Sequence, residues 1–186
     1  RALVLTTPQQ RGAGEQLLEQ LGDLAVVLYG NATMHTPIEV TRDALAVVER
    51  CRADCVIALG GGSTIGLGKA IALNTDLPQI VIPTTYAGSE ATPIIGQTEN
   101  GLKTTQRTLK VLPEVIIYDV ELTLSLPAEM TVTSGLNAIA HAVEALYAKD
   151  ANPLISMLAE QGIAAIARAL PRIHLNPDDA EARSDA

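Results

Sequence analysis

The chain contains 186 residues, of which 47% are hydrophobic and 18% charged, and its formal net charge is −8. A chain of this length and composition buries an apolar core and fits one domain, or one domain and part of a second. The acidic balance and the absence of Phe and Trp argue against a nucleic-acid-binding protein, which needs a basic surface and aromatic stacking platforms. The longest apolar runs, residues 24–29 and 115–118, have only the length of a strand, so neither a membrane span nor a signal peptide is predicted. The cytoplasm is therefore the expected compartment.

The first part of the chain alternates short aliphatic strands with helices. Strands are predicted at residues 2–7, 24–29, 54–59 and 79–83, and helices at 13–21, 39–50 and 63–73. Gly22 is expected to close the first helix. Strands that are apolar on both faces and separated by helices are typical of a parallel sheet that is covered on both sides. The predicted fold class is α/β.

The pattern changes after Thr84. Residues 86–110 are rich in Thr, Gly, Gln and Lys and are predicted as loop, with room for a hairpin. A further strand is predicted at 115–119, followed by helices at 128–148 and 153–169, the second of them ended by Pro171. The expected organisation is an α/β nucleotide-binding domain at 1–125 and the beginning of an all-helical domain at 126–186. Both ends look truncated, because Arg1 leads directly into a strand and residues 178–181 resemble the opening of another helix.

Gly60-Gly61-Gly62-Ser63 follows a predicted strand and opens a predicted helix. A phosphate needs backbone N–H groups at close approach, and consecutive glycines leave these groups unobstructed at the positive end of a helix dipole. The run is neither a Walker loop nor the G-x-G-x-x-G fingerprint. The alternative interpretation is a tight turn without a ligand.

Two further polar segments follow the next strand. Thr84 and Thr85 come directly after it, and Ser89 lies close behind. Because ligands of open α/β sheets bind at the carboxyl ends of the strands, these hydroxyl groups could contact a ribose or a nicotinamide amide. The alternative is a turn that caps its own backbone.

Asn137 and His141 are four residues apart in a predicted helix, so they share one face. They could hold a substrate carboxylate or a weakly bound metal, or form a hydrogen bond between helices. His35 and His174 are assigned no role. Cys51 and Cys55 are predicted to be reduced packing residues, because a zinc site would need further Cys or His partners nearby.

Taken together, these motifs resemble the iron-type (group III) alcohol dehydrogenase superfamily. The similarity covers the chain and rests on residues 60–63 with Lys69, 83–85, 89–90, 121–127 and 135–147. It implies a nucleotide-binding α/β domain, a helical domain, and an active site in the cleft between them. It also implies catalytic roles for Asn137 and His141. The implied cofactor-binding residues are Gly60, Gly61, Gly62, Ser63, Thr84, Thr85, Ser89, Leu122 and Lys103, the last of which matches a family lysine near the cofactor ribose.

Two positions depart from the pattern of the superfamily. Metal-dependent members carry Asp where this chain has Asn137, and many carry Asp at the position of Gly66. The form Asn-Ala-Ile-Ala-His-Ala, together with residues 1–10 and 34–37, is similar to the maleylacetate reductase branch. This resemblance implies reduction of the carbon–carbon double bond of maleylacetate to give 3-oxoadipate, with NADH or NADPH, in the degradation of aromatic compounds. The resemblance further implies a dicarboxylate substrate and a homodimer. A reaction without metal is expected, because the amide of Asn137 is a weaker metal ligand than a carboxylate.

Three alternatives remain open. The first is a metal-dependent alcohol dehydrogenase of the same superfamily, with His141 and Asn137 as ligands. The second is a lyase similar to dehydroquinate synthase, and the third is a nucleotide-binding fragment without activity. The sequence also leaves the choice between NADH and NADPH open, because Tyr29-Gly30-Asn31 contains no acidic residue.

Overall fold

A computed structural model describes all 186 residues. Seven strands are present: β1 (Ala2–Leu5), β2 (Ala25–Tyr29), β3 (Cys55–Gly60), β4 (Gln79–Pro83), β5 (Ile94–Glu99), β6 (Leu102–Arg107) and β7 (Val115–Ile116). Six α-helices accompany them: α1 (Arg11–Leu21), α2 (Ile38–Cys51), α3 (Gly62–Thr75), α4 (Ala128–Tyr147), α5 (Pro153–Leu175) and α6 (Ala180–Asp185). The chain divides into two compact units, one formed by Arg1–Pro83 and Gly88–Tyr118 and the other by Thr84–Ala87 and Asp119–Ala186.

The first unit is built on a parallel sheet of five strands in the order β2-β1-β3-β4-β7. Its central strands are aliphatic because both faces are covered, and Leu3 and Val56 are completely buried. Helix α3 is buried around much of its circumference, with Ile65, Leu67 and Ile71 in the core. The α/β class with a parallel sheet is therefore confirmed.

The segment expected to be mainly loop contains an antiparallel hairpin of β5 and β6. Asn100 and Gly101 join the two strands with φ angles of 50° and 77°. Positive φ at both central residues is the geometry of a type I′ turn, which Asn-Gly favours. The hairpin is therefore encoded by a local signal within an otherwise polar segment.

The second unit consists of helices. Helices α4 and α5 pack closely at Gly135, where a Cβ atom would lie 2.7 Å from a side-chain methyl group of Leu170. The guanidinium of Arg183 is buried and donates to the carbonyl oxygens of Thr123 at 2.6 Å and Leu126 at 3.0 Å. This arginine ties α6 to the segment that leads into α4. None of the helices combines the length and apolarity needed to span a bilayer.

Two predicted boundaries were wrong. Helix α5 does not end before Pro171 but continues to Leu175 with the proline inside it. Pro171 is exposed, and burial of Ile173 two residues later offsets the lost backbone hydrogen bond. The last strand of the sheet ends at Ile116 instead of 119, and the next two residues, Ile117 and Tyr118, are 46% and 68% exposed.

Candidate functional site

The carboxyl end of β3 has a backbone that only glycine adopts easily. Gly60 has φ 153°, and a Cβ atom there would lie 2.4 Å from Oγ1 of Thr64 and 2.7 Å from Oε1 of Gln10. The Thr64 hydroxyl is fully buried and has no hydrogen-bond partner. A glycine, a glutamine and an unsatisfied hydroxyl therefore crowd together where the strand passes into α3.

Helix α3 begins without a side-chain cap. The carbonyl oxygen of Gly61 accepts hydrogen bonds from the N–H groups of Thr64 at 3.0 Å and Ile65 at 3.1 Å. The helix does not satisfy the N–H groups of Gly62 and Ser63, which precede these donors. Two open N–H groups at the positive end of a helix, with no side chain on the two residues before Ser63, suit an anion such as a diphosphate.

Lys69 lies two turns further along α3 and is completely buried. Its ammonium donates to the carbonyl oxygens of Ser89, Thr92 at 2.7 Å and Ile94 at 2.9 Å, and to the Thr92 hydroxyl at 3.0 Å. Burial lowers the pKa of Lys69 to about 8, while the carboxylate of Glu90 opposes this shift. The lysine thus fastens residues 89–94 to the helix that opens with the glycine run.

Glu90 is the buried counter-charge of this lysine, with 4% of its surface exposed. Its Oε1 atom accepts a hydrogen bond from the hydroxyl of Tyr118 at 3.2 Å, and its Oε2 atom has no partner. Burial, with the neighbouring Glu90 carboxylate, raises the pKa of the Tyr118 hydroxyl to about 12. Lys69 and Glu90 therefore form a buried polar pair in the first unit, which the hydroxyl of the largely exposed Tyr118 reaches from outside.

The predicted cofactor-binding residues are divided between the two units. Gly60, Gly61, Gly62, Ser63, Ser89 and Lys103 belong to the first unit, and Thr84, Thr85 and Leu122 belong to the second. Lys103 lies on β6 with its stem over Gly96, where a Cβ atom would be 3.0 Å from its Cε atom. The Thr85 hydroxyl is buried without a partner. A common binding role for these residues stays a prediction.

Asn137 and His141 lie one turn apart on an exposed face of α4. One turn beyond them, a carboxylate oxygen of Glu144 is 3.8 Å from Nδ1 of His141, and both side chains are 67% exposed. No group of three His, Cys, Asp or Glu side chains converges to hold a metal ion. Cys51 and Cys55 are free thiols that are partly buried, as predicted.

Lys69 and Glu90 carry little signal of their own in the sequence, where both enter only through the resemblance. Lys69 and Glu90 lie close together only because residues 89–94 fold back over α3, which the local sequence does not indicate. Gly66, where many superfamily members have Asp, leaves space for Thr36, whose Oγ1 atom would lie 2.5 Å from an added Cβ atom. Thr36 itself has a φ of 45°, which is rare for a β-branched residue.

Ligands of open α/β sheets bind at the carboxyl ends of the strands, and here the third strand enters a glycine-opened helix at that edge. The family described as "Iron-containing alcohol dehydrogenase" matches residues 1–120, and "Fe-containing alcohol dehydrogenase family, C-terminal" matches residues 131–186. The chain belongs to the iron-containing alcohol dehydrogenase family.

Individual relatives are consistent with this assignment. A maleylacetate reductase of Rhizobium sp. (strain MTP-10005) is 61% identical over all 186 residues, which make up 53% of that protein. The crystal structure of maleylacetate reductase from Agrobacterium tumefaciens matches the whole chain and 53% of its own with a TM-score of 0.98 and 60% identity. Sulfoacetaldehyde reductase from Bifidobacterium kashiwanohense in complex with NAD+ matches 99% of the chain and 55% of its own, with a TM-score of 0.90 and 25% identity. The chain thus spans about half the length of the curated relatives it matches.

The comparisons do not support the expectation that metal is unnecessary. Both matching family descriptions name iron. Asn137 departs from the metal-binding pattern of the superfamily, so the metal requirement depends on what an amide at this position can do.

Proposed function

We propose that the protein reduces the carbon–carbon double bond of maleylacetate to give 3-oxoadipate, with a reduced nicotinamide cofactor as the hydride donor. The observation that carries this proposal is the glycine-opened helix α3 at the carboxyl end of β3, in a chain 61% identical to a maleylacetate reductase over its whole length. A homodimer in the cytoplasm that acts on a dicarboxylate in the degradation of aromatic compounds is part of the same proposal.

The first unit binds the cofactor in this proposal. The open N–H groups of Gly62 and Ser63 receive the diphosphate, and Gly61 allows it to approach the backbone. Ser89 is held near α3 through Lys69, and Lys103 offers a cation from the hairpin. Thr84, Thr85 and Leu122 follow β4 and β7 in the chain, and we assign their side chains to the nicotinamide half.

The second unit supplies the groups that meet the substrate. A bound reduced nicotinamide would supply a hydride to the olefin, which is conjugated with a ketone and a carboxylate, so that negative charge would develop on the ketone oxygen. The Asn137 amide and the His141 imidazole are exposed, lie on one helix face and can both donate hydrogen bonds. Preorganised donors of this kind stabilise a developing enolate. We therefore assign the substrate oxygens to these two residues.

We further propose that this reaction does not need a metal. Asn137 brings no charge to a divalent ion, and the donors on this face of α4 are one amide and one imidazole, with Glu144 adjoining the latter. These residues do not by themselves fit a divalent-metal site. The competing candidate is a metal-dependent alcohol dehydrogenase, which the iron in the family description favours.

The test is a spectrophotometric assay of the full-length protein with maleylacetate and each reduced nicotinamide. We expect oxidation of the cofactor that depends on maleylacetate and that persists after exhaustive chelation. Turnover of simple aldehydes or alcohols, with none of maleylacetate, would reject the proposed substrate. A nucleotide-binding protein without activity would bind the cofactor and oxidise none of it.

A further inference from the structure

Ser89 lies on a short segment outside the five-stranded sheet. It follows Gly88, whose φ of 71° turns the chain, and it opens a single 3-10 turn, Ser89–Ala91. One turn of this kind has no regular element of its own to hold it in place. The position of the Ser89 hydroxyl relative to α3 therefore depends on contacts from other side chains.

Lys69 and Thr92 supply these contacts. The ammonium of Lys69 donates to the carbonyl oxygen of Ser89, and the hydroxyl of Thr92 donates to the same oxygen at 3.1 Å. The ammonium also donates to the carbonyl oxygen of Thr92 at 2.7 Å and to its hydroxyl at 3.0 Å. One buried ammonium thus joins both ends of the turn at residues 89–92 to α3.

The Lys69 side chain brings this turn toward the beginning of α3. Six residues separate Lys69 from Ser63, which corresponds to about 9 Å along the helix axis. Side chains of an α-helix lean toward its N-terminus, so the ammonium and the turn that it holds are displaced toward the open N–H groups of Gly62 and Ser63. Ser89 is thereby kept on the side of α3 that receives the diphosphate in the proposed function.

Glu90 is the counter-charge of this ammonium. Burial lowers the pKa of Lys69, and the Glu90 carboxylate opposes that shift. The carboxylate in turn accepts a hydrogen bond from the hydroxyl of Tyr118 at 3.2 Å. Lys69 and Glu90 are both buried, so each can act on a bound ligand only through the segment that they hold.

No other charge competes with Glu90 at the ammonium. Helix α3 has no second charged side chain, β1, β3 and β4 have none, and those of α2 are all exposed. The remaining segments packed against α3 bring Glu99 and Lys110, which pair with Arg42 and Asp76. The charge state of the ammonium is therefore governed by its burial and by Glu90.

We infer that Lys69 and Glu90 are positioning residues for the cofactor: the ammonium holds Ser89 beside the opening of α3, and the carboxylate supplies its counter-charge. The inference rests on the proposed function, because Ser89 is assigned to the cofactor there. It adds two buried residues that act through Ser89 without touching the cofactor themselves.

Calorimetric titration of NADH into the full-length protein and its variants is the direct experiment. Lys69→Met should bind NADH about tenfold more weakly, the effect of losing a hydrogen bond to a charged group. Thr92→Val keeps the shape and the ammonium but removes one donor to the Ser89 carbonyl, so a loss of about twofold to fivefold is expected. In a Ser89→Ala background, Lys69→Met should cost less than about twofold further, because the two residues act as a unit. Lys110→Met, at an exposed lysine, should bind like the wild type.

The pH dependence of NADH affinity separates positioning from a merely structural role. The ammonium offers three hydrogens below its pKa of about 8 and the neutral amine only two above it, so wild-type affinity should fall as the pH rises through about 8. Glu90→Gln removes the charge that favours the ammonium, so its fall should occur at lower pH. Lys69→Met should show no such fall. A flat wild-type profile, or the same fall in Lys69→Met, would overturn the inference.

Turnover gives an independent measurement. In Lys69→Met and Thr92→Val, KM for NADH should rise while kcat stays within about twofold, because Ser89 contributes to cofactor binding and not to the chemical step. A loss of kcat at unchanged KM, or unchanged NADH affinity in both variants, would contradict the positioning role. If Lys69→Met does not fold, Thr92→Val and Glu90→Gln still decide. A wild type that binds NADH without reducing maleylacetate would reject the proposed function, and the titrations would still test Lys69 and Glu90.

Discussion

Replacing Lys69 with Met tests whether a buried ammonium fastens residues 89–94 to helix α3. The side chain is completely buried and its pKa is lowered from 10.5 to about 8, mainly by burial. Methionine is unbranched, one atom shorter and uncharged, so the carbonyl oxygens of Ser89, Thr92 and Ile94 lose their donor. Amide hydrogen exchange should accelerate at residues 89–94 and leave the rest of the sheet protected.

The pH dependence of stability gives this prediction a magnitude. Between pH 8 and 10.5 the unfolded chain holds a proton on Lys69 that the folded protein has released, so the free energy of unfolding rises with pH. The burial of the ammonium opposes folding below pH 8, and this opposition disappears as the pH approaches 10.5. A shift from 10.5 to about 8 corresponds to roughly 3 kcal/mol, which the wild type should gain across this window relative to Lys69→Met.

Urea unfolding of the wild type and Lys69→Met at several pH values between 7.5 and 10.5 measures the difference in their free energies of unfolding. The contribution of other titrating groups largely cancels in this difference. Lys110→Met serves as the control, because Lys110 is exposed and pairs with Asp76 at 3.5 Å. Its stability should run parallel to that of the wild type. Parallel curves for Lys69→Met as well would refute a buried ammonium with a lowered pKa.

Three further predictions concern the glycine-opened helix, the helix pair and the metal. Gly61→Val should abolish NADH binding measured by calorimetry without unfolding the protein. The control Gly12→Val, where an added Cβ atom meets nothing within 4 Å, should bind NADH normally. Equal NADH affinities of the two variants would show that the glycine run is not part of the site. Gly135→Ala should lower the free energy of unfolding by about 1–2 kcal/mol, because the added methyl group overpacks the helix contact. The control Gly162→Ala, in open space, should raise the free energy of unfolding by about 0.5–1 kcal/mol. A stabilising Gly135→Ala would contradict the close contact between the helices. After exhaustive chelation the wild type should keep its activity, and Asn137→Asp should bind zinc more tightly; activity that disappears and returns with zinc or iron would establish the metal-dependent alternative.

The sequence predicts the first unit well because its signals are local. Each central strand is a short aliphatic run between a helix and a turn, and such a run has few alternatives to a covered parallel strand. The glycine run was recognisable for the same reason, since its position after a strand and before a helix is written in consecutive residues. Gly60 shows the limit of this reasoning. A Cβ atom at this position would clash with Thr64 and Gln10, and these two side chains come from different parts of the chain.

Features that depend on distant partners could not be predicted. Nothing local marks Lys69 as buried, and its burial depends on carbonyl oxygens some twenty residues later that accept hydrogen bonds from its ammonium. Pro171 was expected to end α5, yet the burial of Ile173 at 0% exposure outweighs a local preference. The Arg11 side chain, at the start of α1, comes close to Gly30 after β2, and no sequence pattern indicates this approach.

The most direct test of the central claim is the position of the transferred hydride. The full-length protein is supplied with maleylacetate and a reduced nicotinamide deuterated at both positions of carbon 4, and the product is examined by nuclear magnetic resonance. Reduction of the double bond predicts 3-oxoadipate with one deuteron on the former olefinic carbon next to the carboxylate, since conjugation with the ketone directs the hydride there. Deuterium on a carbinol carbon would show instead that the protein reduces the ketone as an alcohol dehydrogenase does, and would contradict the claim.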